Sequence, residues 1–321
     1  MGNESFEQLT LFAEAAPAQP VLDGLSWSYS RRQAHEQCSL RYYNLYYGAN
    51  QRTAKQDPLK QRLRFLKDLS NRHMRTGDLL HLAIKTYFQK ARQGTHWEPQ
   101  QLVHFARRIF QEDRRYSEAY PDGGANPGPY PKVLLREYHY RQPDADQLCQ
   151  EAEERMAHAL SIFATASQYE AFRRAGIAAT SLVEQPFRLA GFPCPVGGKI
   201  DLAFADNTRV IVVDWKLGAS DGSGDDSLQL AVYGMWALDH FGCNVEDLRI
   251  CKAHLSSGDI VDFPIDQSLI AAARARIQQD IERMAALHNY GQRGITEAFT
   301  PCLQPAVCRT CAFERVCYDR D

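Results

Sequence analysis

Residues Val210-Ile-Val-Val-Asp214-Trp-Lys216 form an apolar run that ends in two charges. On a strand, residues two apart point to one sheet face, so Asp214 and Lys216 share it. Burying two charges there is costly unless they are paired, hold a metal or do chemistry. The preceding segment, Gly197-Gly-Lys-Ile-Asp201, brings a second carboxylate. A two-residue turn at Asp206-Asn207 would set Ala205 opposite Thr208 and Asp201 opposite Val212. Asp201 would then lie on the face of Asp214, one diagonal step away. At a separation of roughly 5–8 Å, two carboxylates can share one hard cation. Two carboxylates and a lysine at a strand end suit phosphodiester hydrolysis. A metal polarises the phosphate and lowers the pKa of bound water, while the lysine steers that water or stabilises the growing charge. An Asp-X-Lys tripeptide is common by chance, and the second carboxylate gives it weight. Gln229 and Tyr233 are four apart on the next helix and share one face. They form either a polar stripe on a core helix or a pair aimed at a nucleic-acid backbone.

A second group lies near the C-terminus. Of nine cysteines, Cys302, Cys308, Cys311 and Cys317 crowd the last twenty residues. The chain reads as cytoplasmic, where disulfides are rare and such a cluster points to metal. Cys308-X2-Cys311-X5-Cys317 supplies three thiolates. The fourth is either Cys302, giving a local zinc knuckle, or the distant Cys38. Cys149, Cys194, Cys243 and Cys251 are scattered and read as core thiols.

These groups must be positioned by a chain of 321 residues with 44% hydrophobic and 24% charged residues, ordinary for a globular protein. Net charge is −2, so any attraction for phosphates must come from a local basic face. No apolar run approaches the ~20 residues of a membrane span. The first residues lack the basic-then-apolar order of a signal peptide. No internal repeat is visible. Residues 1–24 read as a loose arm, and Ser26–Tyr47 as a helix capped by Ser28 or Ser30. The basic stretch 51–75 is either a solvated helix face or a track for phosphates. Thr76-Gly-Asp opens an apolar helix through Phe88, and 98–120 and 145–178 are also helical. Strands follow over 181–189, 199–204 and 209–217, then a helix over 227–240. Leu248–Leu255 and Ile260–Pro264 form a hairpin, and Gln267–Tyr290 a long helix.

Glu184, Gly198-X-Ile200-Asp201, Asp214-X-Lys216 and Gln229-X3-Tyr233 together resemble the PD-(D/E)XK nuclease superfamily. The RecB-like branch, with its helicase-linked subunits and CRISPR-associated exonucleases, is the most similar. The resemblance covers residues 26–48, 76–88 and 181–317. It implies an α/β, restriction-endonuclease-like core, a mixed central sheet flanked by helices, with a large helical insertion. It implies Mg²⁺ or Mn²⁺ held by Asp201, Asp214 and the Trp215 carbonyl, with Lys216 catalytic. His81, in Gly77-Asp-Leu-Leu-His81, matches a further metal ligand, and Glu184 a carboxylate that supports the site. Gln229 and Tyr233 join the catalytic set. The segment around Cys38 is similar to the one that carries the first cysteine of iron–sulfur nucleases, which implies a [4Fe–4S] cluster on Cys38, Cys308, Cys311 and Cys317, with structural Zn²⁺ as the alternative. The corresponding divisions are an arm (1–25), a cluster-docking helix (26–48), a helical subdomain carrying His81 (49–179), the nuclease core (180–296) and a cysteine tail (297–321). The implied activity is DNA hydrolysis, as an exonuclease on single strands or duplex ends, in repair or antiviral defence. The second reading is a DNA-binding subunit of a helicase, CRISPR or anti-phage complex whose nuclease activity depends on a partner. The sequence does not separate DNA from RNA.

Overall fold

The computed structural model describes residues 22–50, 57–124, 132–206, 209–218 and 226–318. Most of the arm and residues 51–56 of the basic stretch lie outside that set. Five strands form one sheet in chain order: β1 (Leu182–Leu189), β2 (Val196–Asp206), β3 (Arg209–Lys216), β4 (Leu248–His254) and β5 (Asp259–Phe263). β1, β2 and β3 pair antiparallel, β3 and β4 parallel, and β4 and β5 antiparallel. The parallel step needs a crossover, which is supplied by the helix α9 introduced below.

Eight helices precede the sheet. They are α1 (Tyr29–Gln37), α2 (Ser39–Tyr46), α3 (Pro58–Asp68), α4 (Arg72–Arg92), α5 (Pro99–Ala119), α6 (Arg136–His139), α7 (Ala145–Thr165) and α8 (Glu170–Ile177). Then α9 (Ser227–Phe241) joins β3 to β4, and α10 (Gln267–Arg293), α11 (Pro305–Cys308) and α12 (Glu314–Tyr318) end the chain. Side-chain caps set several starts: Asp57 accepts from the Leu59 and Lys60 amides, and Asn71 from those of His73 and Met74. Left-handed Gly242 and Gly294 close α9 and α10. Among the described residues no helix is long and apolar enough to cross a membrane.

The sheet is buried on both faces. One face packs Val196, Ile200, Val210 and Val212 against α9, α10 and the aromatic residues of α2. The other packs Leu202, Phe204, Ile211, Val213 and Trp215 against α4, α5, α7 and α8. A smaller core joins Leu63 and Leu66 of α3 to Leu134 and to Phe313 and Val316 of the tail.

Three expectations are corrected. The helix expected over 26–47 is two helices, broken at Cys38, whose extended backbone (φ −166°, ψ 114°) ends α1 and caps α2. The helix carrying His81 starts at Arg72 rather than Thr76, because Asn71 caps it. The expected hairpin register is off by two: Ala203 pairs with Val212 and Asp206 with Arg209. Carried to the strand end, that register sets Asp201 directly opposite Asp214. The expected turn at Asp206-Asn207 lies partly outside the described residues, which resume at Arg209.

Candidate active site

β2 and β3 bring their carboxylates together at the sheet end, and α4 and α9 close over them. The result is a cleft of about 640 Å³ lined by Asp78, His81, Leu82 and Lys85 of α4, Glu184, Lys199, Asp201, Asp214, Lys216, Gln229 and Tyr233, among others. Glu184, Asp201 and Asp214 are 8, 4 and 2% exposed. Carboxylates so buried require cations or donors beside them.

The structure supplies these unevenly. His81 Nδ1 lies 2.9 Å from Glu184 Oε1 and 3.4 Å from Asp201 Oδ1. Ligand atoms of His81, Glu184 and Asp201 all fall within 4.8 Å of one another. The other oxygen of Asp201 accepts from the Trp215 backbone N–H at 2.8 Å. Glu184 also pairs with Lys199. Asp214 stands apart from this group: its Oδ2 is 2.8 Å from Lys216 Nζ yet takes no well-angled hydrogen bond. Lys216 Nζ is also 3.9 Å from Asp226, which Lys252 holds at 3.0 Å.

The electrostatics follow from this crowding. Burial, then the neighbouring Asp201 charge, push the Asp214 carboxyl up to about 6, against the pull of Lys216 and His81. Burial alone would lower His81, but Asp201 and Glu184 overcome it and push the imidazole up to about 10. Burial would raise Glu184, and His81 and Lys199 reverse the shift to hold it low. Lys216, though buried, is raised by Asp214 and Asp226. Tyr233 stays a neutral phenol here: burial and the two aspartates drive its pKa far upward, and its oxygen accepts from Gln229 Nε2 at 2.7 Å.

Backbone strain sits at the same place. Glu184 has φ of 51°, a left-handed conformation in the middle of a strand, which costs an ordinary residue about 1–2 kcal/mol. The burial pattern of β1 changes phase there: Glu184 and Phe187 are buried while Gln185 and Pro186 between them are exposed. The strain turns the carboxylate into the cleft, where His81 and Lys199 hold it. Across the pair, Gly198 is needed because a Cβ would come within 2.9 Å of the Phe187 ring, and at Gly197 one would meet the Phe187 carbonyl at 2.7 Å.

The donor set fits a hard divalent cation: one imidazole nitrogen, carboxylate oxygens and a buried carboxylate oxygen lacking a hydrogen bond. On a strand the N–H and C=O of one residue point to the same neighbour, and the Trp215 N–H points to Asp201. The indole itself is core, stacked edge-on against Phe163, Tyr169 and Phe172.

Sequence reasoning passed over Asp78, Lys199, Asp226 and Lys252. Lys199 had a visible signal, since it stands two before Asp201 as Asp214 stands two before Lys216. Asp78 lies one turn before His81, and burial raises its carboxyl. Lys252 pairs with Asp214 only through the parallel β3–β4 register, and nothing local announces that. The last two cations of the basic stretch are used inside the chain: Arg72 binds the buried Glu137 and Arg75 the buried Asp113.

A second site gathers the cysteines. Cys38, Cys302, Cys308, Cys311 and Cys317 line one small cavity between α2 and the tail, with Leu40, Arg41, Asn44 and Phe313. The Arg41 amide donates to Cys38 Sγ and the Phe313 amide to Cys311 Sγ, each at 3.4 Å. Such donors favour thiolates over thiols. Burial raises the Cys311 thiol, and neighbouring Cys38 and Cys308 add to the rise.

A family model described as PD-(D/E)XK nuclease superfamily matches residues 26–318. No curated protein matches the chain.

Proposed function

The chain belongs to the PD-(D/E)XK nuclease superfamily, and from that premise we propose that it hydrolyses DNA phosphodiester bonds with Mg²⁺ or Mn²⁺, as an exonuclease on single strands or ends. The observation that carries the reading is the convergence of His81, Glu184 and Asp201 within 4.8 Å, on a cleft that also holds Asp214 and Lys216. Asp201, Asp214 and the Trp215 carbonyl would hold the metal, with His81 as a further ligand. When bound, the cation polarises the phosphate and lowers the pKa of a water molecule. Lys216 then serves the reaction directly: released from Asp214, its ammonium orients the attacking water and stabilises charge growing on the phosphate. Glu184 keeps the His81 ring oriented through its 2.9 Å contact, a supporting role that metal-bound histidines commonly need. Gln229 and Tyr233, already bonded to each other, present neutral donors to the phosphate backbone.

We assign the cysteine cavity a [4Fe–4S] cluster on Cys38, Cys308, Cys311 and Cys317, supported by the gathering of these cysteines around one cavity and the amide donors at two of them. A second reading, a subunit whose nuclease activity waits for a helicase or other partner, is favoured by the net charge of −2. One experiment separates them. The purified chain is incubated with Mn²⁺ or Mg²⁺ and end-labelled single-stranded DNA, duplex DNA and RNA, with free and blocked ends. We expect metal-dependent degradation of free-ended DNA that disappears in Lys216→Ala. Inactivity on every substrate by a chain that still binds Mn²⁺ would favour the partner-dependent reading. Wild-type rates in Lys216→Ala would overturn the assigned site.

A further inference from the structure

The cysteine cavity contains a polar side chain with no task in the fold. Asn44, on α2, is 1% exposed and lines the cavity with Cys38, Cys308, Cys311 and Cys317. Its Oδ1 is fully buried and has no hydrogen-bond partner among the described residues. Leaving a buried amide unsatisfied costs about 1–3 kcal/mol, and a leucine would fill the same helical position without that loss. The rest of the lining is apolar apart from Arg41 and Glu314, and the sulfurs of five cysteines are the most numerous side-chain acceptors in it.

Rotation by half a turn exchanges the two ends of an amide, and its NH₂ end is the one that can serve sulfur. Two backbone amides already do so in this cavity, from Arg41 to Cys38 and from Phe313 to Cys311. Cys38 caps the helix on which Asn44 lies, and Arg41, three residues from each, lines the same cavity. We propose that the Asn44 side chain is a hydrogen-bond donor to a sulfur of the metal centre held by these cysteines, and that it tunes that centre's electronic state. The proposal rests on the reading of the cysteines as metal ligands. A donor to sulfur stabilises the more negative, reduced form of a cluster, so its loss lowers the reduction potential.

The test uses the full chain, purified anaerobically, as wild type, Asn44→Leu and Asn44→Gln. Melting and far-ultraviolet circular dichroism check the fold, and Asn44→Ala replaces the leucine variant if that one does not fold. In a brown protein, Asn44→Leu should retain the sulfur-to-iron absorbance. At a fixed potential its reduced-to-oxidised ratio should fall about ten-fold, equivalent to ~59 mV for a one-electron couple, and it should bleach faster in air. Asn44→Gln, which retains the donor, should recover much of both. A donorless variant with the wild-type potential and bleaching rate would overturn the proposal. If the wild type is colourless and carries zinc, the cluster reading fails by itself, and Asn44 is judged on Co²⁺-substituted protein. A shifted thiolate-to-cobalt band in the donorless variant would uphold the donor, and an unshifted band would refute it.

Discussion

Asp214→Asn should make the metal-free protein more stable while it abolishes cleavage. Asp214 is 2% exposed, faces Asp201 across the strand pair, and has its carboxyl raised from 3.8 to about 6. At 1.36 kcal/mol per ten-fold, this makes the ionised form less favourable in the folded state by about 3 kcal/mol. The attraction of Lys216 is already contained in that figure. The folded state therefore prefers the protonated acid. Below the unfolded value of 3.8 neither state is penalised, between 3.8 and about 6 the penalty grows, and above 6 it is complete. Asparagine imitates the protonated acid at every pH. At about 2 °C per kcal/mol for a chain of this size, the substitution should raise the midpoint by roughly 6 °C at pH 7.5 in EDTA. The gain should vanish near pH 4 in urea denaturation. Saturating Mn²⁺ should narrow or reverse the gap, because only the wild type gains the full binding energy. A lower melting temperature for Asp214→Asn in EDTA at pH 7.5 would refute the electrostatic reasoning, whatever happened to cleavage.

Three further outcomes follow from the same geometry. His81→Ala should increase the Mn²⁺ concentration for half-maximal cleavage several-fold; it should also destabilise the metal-free protein, because Glu184 and Asp201 lose the cation between them, so the metal titration is the discriminating measurement. An imidazole raised to about 10 is protonated at neutral pH and must lose that proton to ligate, so calorimetry in buffers of different ionisation enthalpy should detect proton release on Mn²⁺ binding, with affinity rising from pH 6.5 to 8.5 and this dependence flattened in His81→Ala. Protein purified anaerobically should be brown with a shoulder near ~400 nm; Cys38→Ala should bleach it and lower the melting temperature, Cys302→Ala should leave the colour, and a colourless wild type indifferent to Cys38→Ala would identify a zinc centre.

Asp201, Asp214 and Lys216 were legible because β-strand periodicity is local: two-residue spacing determines a shared face without knowledge of the rest of the fold. The register between β2 and β3 was less secure. Asp206-Asn207 and Asn207-Thr208 both offer turn chemistry, and the choice depends on which pairing buries the apolar positions of both strands. His81 entered through resemblance, and its distance from Glu184, 103 residues in sequence, is invisible to any local pattern. Glu184 was identified as a supporting carboxylate, but its left-handed backbone was not, since no glycine or asparagine marks the position. The break at Cys38 was missed because the residues on both sides keep helical spacing, and a cysteine is not an expected N-cap although its sulfur accepts from the Arg41 amide. Asp226 and Lys252 meet only because α9 returns the chain to a parallel strand.

Strand order equal to chain order has a kinetic meaning. Every pairing among the five strands forms within residues 182–263, so the sheet assembles from segments that are neighbours during synthesis. The cysteine cavity is the opposite case. Its α2 wall meets the tail through Ser39 and Thr300, 261 residues apart, and Trp27 reaches Asp280 across 253. Closing loops of that length loses more chain entropy than any strand pairing here. The ends should therefore dock after the sheet and its helices have formed, and after Cys317 has left the ribosome. If the cysteines hold the proposed metal centre, its loading would meet a preformed core with a seam still open and would latch α2 to the tail.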